Sequence, residues 1–324
     1  MFLKQIYILA IFSNFYPGNN VSPISKVNSR QPFNDIYLYD CAFSGMTEYS
    51  YGSVVFYETK QPILMLIENC LFNNCFASQK GGAIYFFCED GGSILSKNCV
   101  KDCSTPGGDA YTGQFAYVYC SFTKNNSVFL TTVMNCAPSS NAGRSPIYLY
   151  RGKIVNQDSN YSKGYGFASS SITIILPNEG KIQFTTVIST TSSPGSNIEV
   201  ASGKIYIYRC NFIKNTASQA LIHFNGNQNA TIDLCNIINH NGYTFHLYSG
   251  HLLVVNSIIQ SYTYTGSQPS TSNITFFSIT IPQITHYQTA FCEAQVPYTE
   301  VPVYSVYPLS GIKRLFFALW FTMM

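Results

Sequence analysis

A short unit recurs along this chain: an alternating apolar strand, a cysteine or small polar residue, then a second short apolar strand. Repetition at a fixed interval restricts the fold more than any single motif does. The unit reads Ile36-Tyr37-Leu38-Tyr39-Asp40-Cys41-Ala42-Phe43, then Leu64-Met65-Leu66-Ile67-Glu68-Asn69-Cys70-Leu71-Phe72. It returns as Ile94-Leu95-Ser96-Lys97-Asn98-Cys99-Val100 and Lys204-Ile205-Tyr206-Ile207-Tyr208-Arg209-Cys210-Asn211-Phe212. Later copies are Ala230-Thr231-Ile232-Asp233-Leu234-Cys235-Asn236-Ile237 and Leu252-Leu253-Val254-Val255-Asn256-Ser257-Ile258-Ile259. Cys41 to Cys70 spans 29 residues and Cys70 to Cys99 spans 29 again, while Cys210 to Cys235 spans 25 and Cys235 to Asn256 spans 21. Asn135-Cys136 fits the series after a longer insertion.

A turn and a third strand follow each unit, as in Gly52-Ser53-Val54-Val55-Phe56-Tyr57, Gly82-Ala83-Ile84-Tyr85-Phe86-Phe87 and Gln219-Ala220-Leu221-Ile222-His223-Phe224. No helical period separates the strands. Parallel strands normally need a long crossover. A coil of three strands avoids it, because each strand pairs with its equivalent one turn later. The reading is therefore an all-β parallel β-helix (solenoid) over 19–260, of about nine or ten coils and roughly 45 Å long at about 4.8 Å per coil. An antiparallel sandwich also uses many short strands, but it predicts no aligned cysteine column. In the solenoid like residues stack on like. The expected ladders are Cys41, Cys70, Cys99, Cys136, Cys210 and Cys235, and beside them Asn69, Asn98 and Asn135. Lys97, one coil beyond Glu68, is placed for an ion pair.

Gly81-Gly82-Ala83-Ile84 matches the GGAI tetrapeptide, and Phe122-Thr123-Lys124-Asn125 and Phe212-Ile213-Lys214-Asn215 match FxxN. With these motifs the stretch from Ile36 to Gln260 resembles the repeats of polymorphic outer membrane proteins and the repeat surface proteins of parasitic protists. GGAI occurs once, and no β-barrel translocator follows, which favours the protist type. The resemblance implies a right-handed parallel β-helix of the pectin-lyase-like class, and a role in adhesion.

Charged residues make up 10% of the chain, against roughly 25% in an ordinary soluble domain. Lys4, Lys313 and Arg314 stand at the ends, and without them the charges balance; no basic stripe exists to bind nucleic acid. The run after Lys4 to Phe12 reads as a signal peptide over 1–18 or as a buried first strand. Residues 261–311 read as a Ser/Thr/Pro-rich linker, a last strand and a cap or stalk, with Pro282, Pro297, Pro302 and Pro308. Residues 312–324 form an apolar tail too short to span a bilayer, and a membrane association through it is an expectation. Sequons fall at Asn20, Asn125, Asn160, Asn229 and Asn273; in a secreted eukaryotic chain, glycans there supply the hydration that so few charges do not.

Chemistry is sparse. Hydrolases of the pectin-lyase-like fold share Asn-Thr-Asp, Asp-Asp, Gly-His-Gly and Arg-Ile-Lys strings, and this chain has none of them. Its acids are scattered; the densest group is Glu89-Asp90 with Asp102 and Asp109, and solvated loop acids account for it. His223, His240, His246 and His251 lie on the late coils, as stacked surface residues rather than metal ligands. Eleven cysteines leave one without an intrachain partner. Stacked cysteines suit either a thiol ladder or disulfides between coils. No catalytic residue, metal site or cofactor is assigned. The expectation is a non-enzymatic secreted or cell-surface protein that binds glycans or host surface proteins. A divergent lyase or hydrolase requires carboxylates to converge with one another or with Arg144, Arg151 or Arg209 in one groove. A structural coat protein requires no groove at all.

Overall fold

Apolar residues at every second position give each strand one inward and one outward row. In the computed structural model, which describes residues 15–16, 35–136 and 143–275, those rows close around one core. The chain is an all-β parallel β-solenoid of about eight turns, with no helix in 35–136 or 143–275. The first face holds Ile36–Tyr39, Leu64–Glu68, Gly92–Ser96, Asn125–Phe129, Lys153–Gln157 and Glu179–Gln183. The second is a sheet of nine short strands, from Ala42–Ser44 through Asn160–Ser162 to Ile258–Ile259. The third holds Val55–Thr59, Ile84–Cys88, Ala116–Tyr119, Ile147–Tyr150 and Ser169–Ile175. Each strand pairs in parallel with its counterpart one coil on, as Leu38 with Ile67 and Val118 with Leu149.

The later coils are shorter and their third and first faces merge. Ser196–Tyr208, Thr216–Asp233 and Asn241–Val255 run continuously from one face into the next. They bend at Gly203, Gly226 and Gly250, all at positive φ, which glycine adopts without a Cβ penalty. The stretch read as the start of a linker belongs to the solenoid. Tyr264–Gly266 and Ser270–Ser272 pair with Phe245–Leu247 and Leu253–Val255. The last strand beyond Thr275, the stalk and the apolar tail lie outside the described residues, as do Met1 to Asn14 and Asn20.

Two corners set the coil. The first is turned by Asp40, Asn69, Lys97, Leu130, Asp158, Phe184, Arg209, Leu234, Asn256 and Asn273, with φ between 48° and 56°. The second is turned by Gly45, Asn74, Asp102, Asn135, Lys163, Ser189, Lys214 and Asn239, with φ between 50° and 64°. The left-handed conformation costs about 1–2 kcal/mol at a residue with a Cβ, less for Asn and Asp. Stacking offsets that cost: the N–H of every corner residue up to Asn256 donates to the next coil, as Asp40 N to the Glu68 carbonyl at 3.1 Å and Lys97 N to Phe129 at 2.9 Å.

The expected ladders are rearranged. Cys41, Cys70, Cys210 and Cys235 share the column just after the first corner, and Asn98, Thr131, Ser159 and Thr185 fill it between them. Cys99 stands one residue later, paired with Leu71 and Thr132. Cys136 belongs to the second corner, where it follows Cys75 and Cys103 coil by coil. Asn69, Asn98 and Asn135 occupy three different columns, so they form no ladder. Asn69 donates instead to Asp40 Oδ1 at 2.9 Å, and Asn135 donates to Asp102. The Glu68–Lys97 ion pair is present at 3.0 Å, with the Glu68 carboxylate buried. Its register is diagonal, because Glu68 pairs directly with Ser96.

The two FxxN strings are not equivalent. Phe212 is fully buried, and Asn215 accepts from Thr190 N at 3.0 Å while donating to the Val187 carbonyl at 2.9 Å. Phe122 is exposed, in the turn that precedes Asn125–Phe129.

Candidate functional site

On the third face the inward row is aliphatic and the outward row is aromatic. Ile84 and Phe86 face the core, so Tyr85 and Phe87 face outward; Ala116 and Val118 do the same for Tyr117 and Tyr119, and Ile147 and Leu149 for Tyr148 and Tyr150. In-register pairing then stacks the outward rings in two lanes. In one lane Phe56, Tyr85, Tyr117 and Tyr148 follow at centroid separations of 5.6, 5.3 and 5.2 Å, and Tyr51 lies 4.5 Å from Tyr85. In the other, Phe87, Tyr119 and Tyr150 follow at 4.3 and 4.9 Å. The rings spend their faces on one another; Tyr85 and Tyr117 are nearly buried, and Tyr119, Tyr148 and Tyr150 are partly exposed.

Two cations border the lanes. Lys80 Nζ sits 5.0 Å from the Tyr117 centroid, and the Arg151 guanidinium lies 5.2 Å from Tyr119 and 5.5 Å from Tyr150, donating to the Tyr119 hydroxyl. Neither ion-pairs with a carboxylate among the described residues. Burial pushes the Tyr85 and Tyr117 phenols up, so both stay neutral and able to donate.

The first lane continues past Tyr148 through Thr173, Glu199, His223 and His246. Arg144 clamps Glu199 with two bonds, Nε to Oε2 at 3.1 Å and a terminal nitrogen to Oε1 at 2.9 Å, and Glu199 is 3% exposed. Such a bidentate pair is held in one geometry. The His223 and His246 rings stack at 4.5 Å and 9°. Burial, then the neighbouring His246 and Arg144, pull His223 down to about 4, which keeps it neutral above that pH.

The expected site residues are dispersed. Asn125, Asn229 and Asn273 are exposed, while Asn160 is buried to 1% and cannot accept a glycan in the folded chain. Glu89 faces Lys60 at 4.0 Å on a turn after the third face, whereas Asp102 sits at the second corner; the Asp109 side chain lies outside the described residues. Arg209 stacks on Tyr208, at 5.1 Å, away from the aromatic lanes. No group of three metal-binding side chains occurs among the described residues. No helix among them is long and apolar enough to cross a membrane. The aromatic lanes were readable as the alternation Ala116-Tyr117-Val118-Tyr119 and Ile147-Tyr148-Leu149-Tyr150. Compared with family models, curated proteins and solved structures, the chain matches none.

Proposed function

We propose that this chain is a non-enzymatic, secreted or cell-surface solenoid that binds a glycan or a host surface protein through its third face, in an adhesive role. The supporting observation is the double lane of stacked tyrosines bordered by Lys80 and Arg151. Tyrosine joins apolar area to a hydrogen-bonding tip. Stacking has already fixed these rings, so little rotamer entropy is lost when a ligand docks. Phenols repeating once per coil suit a ligand that itself repeats, which favours an extended glycan over a single small molecule. The exposed sequons at Asn125, Asn229 and Asn273 accord with a secreted protein, and the GGAI string with a right-handed, protist-type member of the pectin-lyase-like class.

The alternative, a lyase or hydrolase, draws on Arg144 and Glu199 in the same lane. Among the described residues one carboxylate stands in that lane, and the arginine holds it.

One experiment separates the two. The secreted protein is screened on a glycan and cell-surface protein array beside Tyr119→Ser, Tyr150→Ser and Arg151→Gln, each checked for an unchanged circular dichroism spectrum. Binding that falls about tenfold per substitution supports the reading, since a central contact carries more than about 1 kcal/mol. Absence of any ligand, or variants that bind as the parent does, overturns it. Shortening of a bound glycan, abolished in Glu199→Gln, establishes the enzyme instead.

A further inference from the structure

Cations border the tyrosine lanes on both sides. Lys80 lies over Tyr117 beside the first lane, with Nζ 5.0 Å from the ring centroid. Beside the second lane, Lys124 and the turn Arg151-Gly152-Lys153 follow on adjacent coils, where Lys153 N donates to the Lys124 carbonyl at 2.8 Å. Gly152 has φ +101°, and a Cβ there would lie 2.8 Å from that carbonyl oxygen, so glycine lets the two turns meet. Lys124 and Lys153 are exposed. Acids flank this corner: Glu89, which faces Lys60, and Asp90 precede Lys124 by one coil, and Glu179 follows Lys153 by one. Among the described residues, no carboxylate ion-pairs with Lys80, Lys124, Arg151 or Lys153.

Arg151 is fixed before a ligand arrives. Its backbone turns at φ 61°. Its N–H donates to the Ile175 carbonyl at 2.9 Å, and its own carbonyl accepts from Asn126 Nδ2 at 2.9 Å. The guanidinium rests on Tyr119 and Tyr150 and gives one N–H to the Tyr119 hydroxyl. A guanidinium carries about five N–H donors in a rigid fork, so the rest of the fork can grip a carboxylate or sulfate. Width then decides between one anion and several. The strand Ala116–Tyr119 has four residues, which puts the two borders about 13 Å apart. A single anion does not reach both; a polymer with repeated charges does.

We propose that the third face takes an acidic glycan, whose carboxylate or sulfate groups are held by Arg151, Lys124 and Lys153 on one border and by Lys80 on the other. Its sugar rings lie against Tyr119, Tyr148 and Tyr150, which are partly exposed. This rests on the reading of the third face as a binding surface and narrows it to one class of ligand. An acidic peptide fits the same charges, but a peptide gains affinity by adding a strand to an open sheet edge. The tyrosine strands Ile84–Cys88, Ala116–Tyr119 and Ile147–Tyr150 are each paired on both sides, so they offer no such edge. Rings, hydroxyls and cations are what remain, and these suit a charged sugar chain.

The test measures binding of the full chain to immobilised heparin, polygalacturonate, dextran and polyglutamate at low and raised salt. Heparin or polygalacturonate is expected to bind at least about tenfold tighter than dextran and polyglutamate, and to weaken as salt screens the exposed charges. Binding of heparin alone assigns sulfate; binding of both assigns carboxylate. Lys124→Gln combined with Lys153→Gln should weaken it about fivefold. Lys163→Gln combined with Lys214→Gln removes the same charge at the second corner and should leave it unchanged. Dextran or polyglutamate bound as tightly as the acidic glycans, or equal losses in the two lysine pairs, would overturn the proposal. If Tyr119→Ser and Tyr150→Ser then weaken binding of dextran or polyglutamate, the face still binds and only the ligand class is wrong. If the tyrosine variants bind acidic glycans as the parent does, the third-face reading fails and this proposal with it.

Discussion

At the scale of the residue, the cysteines of the first corner act as hydrogen-bond donors. Cys41, Cys70, Cys210 and Cys235 each place Sγ 3.2–3.4 Å from the carbonyl two residues earlier. Thr131, Ser159, Thr185 and Ser257 make the same bond with a hydroxyl, at 2.7–3.1 Å. The left-handed corner leaves that carbonyl beside a small side chain, and any short X–H group satisfies it. This explains why Cys, Ser and Thr interchange along one column, and why the cysteines there need no disulfide. Cys210→Ser should therefore be nearly neutral, whereas Cys210→Ala, which removes the second donor from a carbonyl that Phe184 N also serves, should cost about 0.5–1.5 kcal/mol. Urea unfolding of the two variants beside the parent checks this; equal losses would show that the sulfur matters only by its volume.

At the scale of the element, the corner decides what a coil tolerates. Gly45 and Gly81 have nearly the same φ, +64° and +65°, in different surroundings. A Cβ on Gly45 meets nothing within 4 Å, but on Gly81 it lies 2.0 Å from the Ile84 carbonyl oxygen. Gly45→Ala should cost only the left-handed penalty of about 1–2 kcal/mol. Gly81→Ala should displace the strand Ile84–Cys88 and with it the head of the aromatic lanes, losing about 3 kcal/mol or more. Thermal unfolding of both variants decides it, and similar melting temperatures would contradict the backbone clash. The same scale shows how far residue patterns reach. Alternation and the 29-residue cysteine interval suffice for the coil, because the strand period of two and the stacking period are both written in apolar residues. The interval misplaces Cys99, because the coil from Asn69 to Lys97 is one residue shorter than the coil before it. A slip of one residue turns a side chain from one side of the sheet to the other. Cys136 is misplaced because its neighbour Asn135 turns the second corner, a distinction made by φ and invisible in the letters. The aromatic lanes were legible as alternating tyrosines, but the Arg144–Glu199 clamp was not: its partners are 55 residues apart and meet only when the coils stack.

At the scale of the whole molecule, the solenoid turns a local repeat into an extended surface. Each coil contributes one position to each lane, so the third face carries tyrosines at one end and Glu199, His223 and His246 further along. An antiparallel sandwich of the same strands would scatter these residues over two sheets. Coil number should therefore predict distance. Glu58, Phe87, Tyr119, Tyr150, Ile175, Ala201 and Asn225 are successive members of the second lane, related by parallel pairing. Spin labels carried on a non-canonical amino acid, which leaves the cysteines untouched, can be placed in pairs at Glu58 with Ile175, Ala201 or Asn225. Dipolar spectroscopy should then give separations that rise in equal steps, about 19, 24 and 29 Å, one strand spacing per coil and allowing for the label's reach. Separations that fail to rise with coil number, or that jump by the roughly 10 Å between packed sheets, would contradict the parallel solenoid on which the binding face depends.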